Sequence, residues 1–214
     1  MNTIITISRQ FGSGGHEIGE KIAEHYGIKC YDRELVSLAS EESGFSQDIV
    51  ENQDERKVNS FLYNLAMENN MFGYNIDSLS VLPDTQKIFL AQFDAIRNLA
   101  KSGPCVMVGR CADYALSDLD NCINFFIYGN MKTKIERIMK KYELPEETAK
   151  EMIIKKDKQR EGYYNYYSAK KWGQADGYHL CLNSSILGID ETVKLLIHYI
   201  DAYENKKLLS VFGR

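Results

Sequence analysis

A short β-branched run followed at once by Gly12-Ser13-Gly14-Gly15 constrains this chain more than any other feature. Residues 3–8 read as a strand, the glycines as a turn, and residues 16–25 as a helix with Ile18, Ile22 and Ala23 on one face. Gly27 ends that helix, and residues 28–31 form a second short strand. A strand, a glycine-rich loop, a helix and a strand in this order predict an α/β fold around a parallel sheet. Glycines just beyond a strand let backbone N–H groups turn inward around an anion. The following helix adds its own N–H groups and the positive end of its dipole.

The rest of the chain fits the same architecture. No strand pattern is visible over residues 33–102. Helices are expected at 34–42, 47–71 and Asp84–Lys101, with a polar loop over 69–83. A helical stretch of this size between strands suggests a subdomain that covers substrate, placed at about residues 36–100. Residues 104–109 and 121–128 are continuous apolar runs, as buried parallel strands are. Residues 131–141 form a helix with Ile135 and Ile138 inward. Pro145 opens another that continues past Arg160, with Glu146 and Glu147 suited to its N-terminal dipole. Residues 178–182 are the last strand. Asp190 is placed to cap a final helix striped by Val193, Leu196, Ile197 and Ile200. The whole of residues 1–214 reads as one domain.

Charge and cysteine content narrow the class. The chain has 26 Lys+Arg against 30 Asp+Glu, a net −4, which argues against a general nucleic-acid binder. Its apolar runs are too short to span a membrane, and no basic leader is visible at Met1–Ile7, so a cytoplasmic protein is expected. Cys30, Cys105, Cys111, Cys122 and Cys181 are odd in number and lack CxxC spacing, so neither a zinc site nor a disulfide framework is expected. His16, His25, His179 and His198 show no metal-ligand spacing. No resident metal site is assigned.

Four segments carry candidate chemistry. The first is the loop itself, with Gly12, Ser13, Gly14, Gly15, His16 and Glu17. It departs from the phosphate-loop pattern GxxxxGK[ST]. With Gly14 as the second motif glycine, Arg9 replaces the first glycine, Gly15 the lysine and His16 the Ser/Thr. With Gly15 in that place, the three positions hold Gln10, His16 and Glu17. The first frame is preferred because it keeps Gly-Ser-Gly inside the loop. A charge-assisted hydrogen bond contributes about 1.5–3 kcal/mol, so a loop without its lysine needs another cation. Arg9 is the candidate, whereas Lys21 lies too far along the helix. The second segment, Val106-Met107-Val108-Gly109-Arg110, places an arginine where a buried parallel strand emerges into the ligand crevice. In the third, Asp157 and Arg160 are three apart and share a helix face within Lys155–Arg160. The fourth is the polar loop Asn183-Ser184-Ser185 at the same crevice edge, whose Asn183 and Ser184 suit a contact with a base. A plain turn, a surface salt bridge and a solvated helix are the bland alternatives.

These segments, in this order, resemble the nucleoside monophosphate kinases and most closely the cytidylate kinase-like family. The resemblance runs from Ile4 to about Val193. It is carried by Ile7-Ser8-Arg9-Gln10-Phe11-Gly12-Ser13-Gly14-Gly15, Tyr31-Asp32-Arg33-Glu34-Leu35, Gly109-Arg110, Asp157-Lys158-Gln159-Arg160, and Asn183-Ser184-Ser185 with Gly188. It implies a three-layer P-loop NTPase-like fold: a five-stranded parallel sheet in order 2-3-1-4-5, a helical insertion, and a lid at about residues 142–172. It implies transfer of the ATP γ-phosphoryl group to CMP, dCMP or a related small phosphate acceptor, with Mg²⁺ carried by the nucleotide. Arg110 matches the arginine that holds the acceptor phosphate. Asp157 and Arg160 match the lid pair, Arg137 a further phosphate-contacting arginine, and Asp32 and Arg33 the acceptor's entrance. The implied partners are small nucleotides, without nucleic acid or membrane; a homo-oligomer is compatible.

The departures favour a second reading, a nucleotide- or phosphate-sensing protein with weak or no catalysis on the same fold. The loop lysine is absent, Cys111 follows Gly109-Arg110 where these kinases carry Asp, and Ile153 stands where an arginine is common. The run Gly162 to Tyr167, with Trp172, suits either packing or stacking on a base.

Overall fold

The structure is a computed structural model that describes residues 1–32 and 84–212. The helices expected at 34–42 and 47–71, the loop at 69–83 and Arg33 lie outside the described residues.

In chain order the elements are β1 (Ile4–Arg9), α1 (Gly15–Tyr26), β2 (Lys29–Tyr31), α2 (Asp84–Lys101), β3 (Cys105–Val108), α3 (Ala112–Ala115), β4 (Cys122–Tyr128), α4 (Met131–Tyr142) and α5 (Glu146–Ser168). A 3₁₀ turn (Ala175–Gly177), β5 (Leu180–Asn183) and α6 (Ser184–Phe212) complete it. The five strands form one sheet in the order β2-β3-β1-β4-β5, with every neighbouring pair parallel, as expected. All five therefore end at the same sheet edge, where Arg9, Asp32, Gly109, Tyr128 and Asn183 lie.

The period-2 alternation of a strand explains the layers. Ile5 and Ile7 of β1, Val106 and Val108 of β3, and Ile123, Phe125 and Ile127 of β4 are buried on one face. There they meet Ile18 and Ile22 of α1 and Val193, Leu196 and Ile200 of α6. Ile4, Cys105, Met107 and Cys122 point the other way, onto Ile96 of α2 and Ala112 and Ala115 of α3. This second face also carries a polar thread, in which the Thr6 hydroxyl donates to Asn124 Oδ1 at 2.8 Å. Buried polar groups must find such partners, and here one strand supplies the other's.

Three details go beyond the sequence expectations. Residues 84–101, within the stretch expected to be an insertion, include Ile96, which is fully buried against the sheet. Helix α5 is rooted at its far end, because Tyr163, Tyr164 and Tyr167 join an aromatic cluster with Phe89, Phe126 and Tyr178. Phe89 and Tyr167 stack with centroids 3.8 Å apart. The last helix starts at Ser184, breaks at Gly188 (φ 75, ψ 177) and resumes, while the Asp190 carboxylate pairs with Lys21. No disulfide joins the five cysteines. Burial pushes the Cys105 thiol up to about 11 and that of Cys122 to about 12, as for inert core thiols. Among the described residues no helix is long and apolar enough to cross a membrane.

Candidate functional site

The glycine loop is a tight turn between β1 and α1. Gly12 (φ 82) and Gly14 (φ 81) take left-handed conformations that side chains resist. Ser13 is buried and folds back, its hydroxyl donating to the Gln10 carbonyl at 2.9 Å. Among the described residues no side chain caps α1 at Gly14. Its first N–H groups and its dipole thus face the crevice.

Arg9 leaves β1 through a slot between two glycines. A Cβ on Gly15 would sit 2.5 Å from the Arg9 Cβ, and one on Gly109 would overlap the guanidinium. The far end of Arg9 reaches Asp32 at 3.4 Å. Asp32 also meets His16 Nδ1 at 2.9 Å, and His16 Nε2 lies 3.3 Å from Glu20. His16 thus turns to carboxylates beside the loop. Lys21, set aside from the sequence, pairs with Asp190 and lies 3.9 Å from Glu17. Arg137 comes from α4 to the outer side of the loop. It pairs with Glu17 and would lie 3.3 Å from a Cβ on Gly14.

Arg110 follows β3 in an unusual turn. Gly109 (φ 79), Arg110 (φ 59) and Cys111 (φ 53) are all left-handed in succession. Left-handed conformations cost a non-glycine residue about 1–2 kcal/mol, and such strain clusters at functional sites. The turn aims Arg110 at a small, partly open pocket that is also lined by Arg9, Arg160, Tyr163, Tyr164 and Trp172. Three arginines, from the end of β1, the turn after β3 and α5, therefore line one concavity with an aromatic wall. Burial, with the Asp113 charge adding to it, holds the Cys111 thiol well above its ordinary value.

Helix α5 crosses the loop. Asp157 accepts the Phe11 N–H at 2.6 Å with one carboxylate oxygen and pairs with Lys134 Nζ at 2.8 Å through the other. Arg160 Nη1 donates to the Arg9 carbonyl at 3.1 Å, and its guanidinium lies 5.5 Å from the Phe11 ring centroid. The Asp157–Arg160 face expected from spacing is thus laid directly on the loop.

Asn183 and Ser184 reach the same edge from β5, but their polar atoms are engaged. Asn183 Nδ2 donates to Asn130 Oδ1 at 3.0 Å, and its Oδ1 accepts the Ser185 N–H at 3.0 Å. The buried Ser184 hydroxyl lies 2.6 Å from the Ser13 carbonyl and 3.1 Å from that of Tyr128. It braces the loop from behind.

Sequence reasoning missed Lys134, which is 4% exposed, and Gln10, whose Oε1 receives Lys134 Nζ at 3.2 Å and the Gly129 N–H at 3.3 Å. A signal existed, because Lys134 stands four residues before Ile138 and so shares its inward face. Also missed was the polar chain behind the aromatic wall. Tyr164 donates to the buried Asp113 at 2.6 Å, and the polar chain continues through Tyr178, whose hydroxyl interacts with those of Tyr164 and Ser8. Burial raises the Asp113 carboxyl and pushes Tyr178 up to about 12. Among the described residues no three His, Cys, Asp or Glu side chains converge to hold a metal ion.

A five-stranded parallel sheet in this order, with a glycine loop after its central strand, is the fold of the P-loop kinases of small molecules. Shikimate kinase from Bacteroides thetaiotaomicron shares that fold at 11% identity and a TM-score of 0.52, over 94% of this chain and 99% of the other. The chain belongs to the cytidylate kinase-like family, whose model matches residues 4–186. An uncharacterized protein from Eubacterium ventriosum ATCC 27560 is 33% identical, with a TM-score of 0.69 over 94% of this chain and 99% of its own. No curated protein matches the chain.

Proposed function

We propose that the protein is a small-molecule kinase that moves the ATP γ-phosphoryl group to CMP, dCMP or a related small phosphate acceptor. One observation carries this reading: Arg9, Arg110 and Arg160 converge on one pocket beside the glycine loop. Phosphoryl transfer asks for positioned positive charge more than for covalent work by the protein. An ionised oxygen of the acceptor attacks the γ-phosphorus, the bond to the β,γ-bridging oxygen breaks, and ADP leaves with that electron pair. No proton need move in this step, so no base is assigned.

In this reading the loop N–H groups and Arg9 hold the donor phosphates, and Arg137 flanks them. Arg110 grips the acceptor phosphate, and Arg160 neutralises charge on the migrating group. Asp157 ties the lid helix to the loop. Asp32 borders the acceptor with Arg33, and Asn183 borders the donor's base. Mg²⁺ carried with ATP would offset negative charge on the phosphates. The left-handed backbone at Gly12 (φ 82) and Gly14 (φ 81), which side chains resist, supports reading the loop as a backbone cradle for phosphate.

The second reading, a nucleotide sensor without efficient turnover, is favoured by Gly15 in the lysine position of the preferred frame and by the buried Cys111 after Arg110. ADP formation from Mg-ATP, tested against CMP, dCMP, UMP, AMP and no acceptor, separates the two. The kinase reading expects one acceptor to stimulate ADP release strongly. Nucleotide-dependent thermal stabilisation without turnover supports the sensor.

A further inference from the structure

We propose that Lys134 supplies, from beneath the loop, the ammonium that the donor phosphates need, and that Asp157 competes with those phosphates for it. The inference rests on the reading of the loop as a phosphate site and adds a cation and a competing anion to it.

The geometry is specific. Lys134 is 4% exposed although it is a lysine near the start of a surface helix. Its stem runs under the loop, with its Cβ 3.2 Å from where a Cβ on Gly12 would lie. Its Nζ emerges at Asp157 Oδ2 (2.8 Å) and Gln10 Oε1 (3.2 Å). The other Asp157 oxygen takes the Phe11 N–H at 2.6 Å. One carboxylate thus bridges a loop N–H and an ammonium. A glycine loop offers a phosphate those same two donor types, backbone N–H and a lysine. Here the lysine comes from α4 rather than from α1. Position 15 could not supply it, because any Cβ there meets Arg9.

Packing alone does not explain the pair. The neighbouring inward residues Ile135 and Ile138 fill their sites with apolar atoms. A buried ion pair is often no more stabilising than a hydrophobic replacement, so its presence is weak evidence for a purely structural role. An anchoring role for Lys134 predicts that loss of the Asp157 charge leaves phosphate affinity unchanged or lower. Competition predicts the opposite sign.

Affinity for inorganic pyrophosphate, measured by titration calorimetry, tests this without any need for turnover. Asp157→Asn removes the competing charge at constant shape. It should bind pyrophosphate about tenfold more tightly than the wild type, the worth of one charge-assisted contact. Adding Lys134→Met to that variant should weaken binding at least tenfold, while Lys134→Arg should keep most of it. Unchanged or weaker binding by Asp157→Asn overturns the proposal, as does equal binding with and without Lys134. A readout without a lysine variant is the ¹⁵N resonance of Lys134 Nζ in the Asp157→Asn protein, which pyrophosphate must shift; an unmoved signal overturns the proposal. If neither wild type nor any variant binds pyrophosphate or ADP, the phosphate-site reading falls together with this one. If the affinities follow the predicted order but no acceptor is phosphorylated, the kinase reading falls alone.

Discussion

Gly109→Ala tests whether the slot around Arg9 sets the strength of the site. Gly109 has φ 79, so an alanine there starts with a left-handed strain of about 1–2 kcal/mol. Its Cβ would overlap the Arg9 guanidinium and lie 2.7 Å from Cζ. Arg9 must leave the slot, and because its head can swing toward solvent the overpacking cost sits near the low end, about 1 kcal/mol. The summed loss of about 2–3 kcal/mol corresponds, for a chain of this size, to a fall in Tm of roughly 4–12 °C by calorimetry. Affinity for ADP carries the sharper prediction. Displacing Arg9 removes one charge-assisted contact of about 1.5–3 kcal/mol, or roughly 10- to 150-fold in Kd by titration calorimetry. Arg9→Ala should lose the same amount, and the double variant Arg9→Ala/Gly109→Ala no more than either, because both act through one guanidinium. Losses that multiply in the double variant would refute the reasoning, and so would wild-type affinity in Gly109→Ala.

Further predictions concern the buried supports. Tyr164→Phe strips the donor from Asp113 Oδ2, while Asp113 Oδ1 already lacks a partner among the described residues; the expected cost is about 1–3 kcal/mol, a fall in Tm of roughly 2–12 °C. Asp113→Asn tests the pH dependence. Burial holds the folded carboxyl above its ordinary 3.8, so the folded state binds the extra proton and stability falls as pH rises from 3.8 through the raised value. The variant should therefore gain stability relative to wild type as pH rises from 4 toward neutrality, and parallel melting profiles would contradict this. Ser184→Ala removes the hydroxyl that joins the Ser13 and Tyr128 carbonyls, so it should cost about 1–2 kcal/mol in melting experiments and weaken ADP binding through the loosened loop.

The sheet was legible because β3 and β4 are continuous apolar runs, β1 is β-branched and the loop after it is glycine-rich; all are local signals. The strand order came from the resemblance, since pairing β1 between β3 and β4 is not written in any short window. Arg9 and Arg110 were legible as cations at strand ends and Arg160 as one sharing a helix face with Asp157, but their shared pocket depends on the left-handed turn at 109–111 and on α5 lying over the loop. The inward place of Lys134 was legible from its spacing to Ile138, but its pairing was not, because its partner Asp157 is 23 residues away on another helix. Asp190 illustrates the limit of capping rules. Its position suits a cap, yet Lys21 from α1 takes its carboxylate. The aromatic run at 162–167 is packing at Tyr163, Tyr164 and Tyr167 and still walls the pocket, a double role that only the tertiary arrangement reveals.

The central claim is that the glycine loop and its arginines form a nucleotide-phosphate site. A structure of the protein with Mg²⁺ and ADP tests it most directly. The account predicts the β-phosphate within hydrogen-bond distance of backbone N–H groups of residues 12–16, with the Arg9 guanidinium turned toward the phosphates. ADP bound away from the loop, or no ADP bound at millimolar concentration to folded protein, would contradict it.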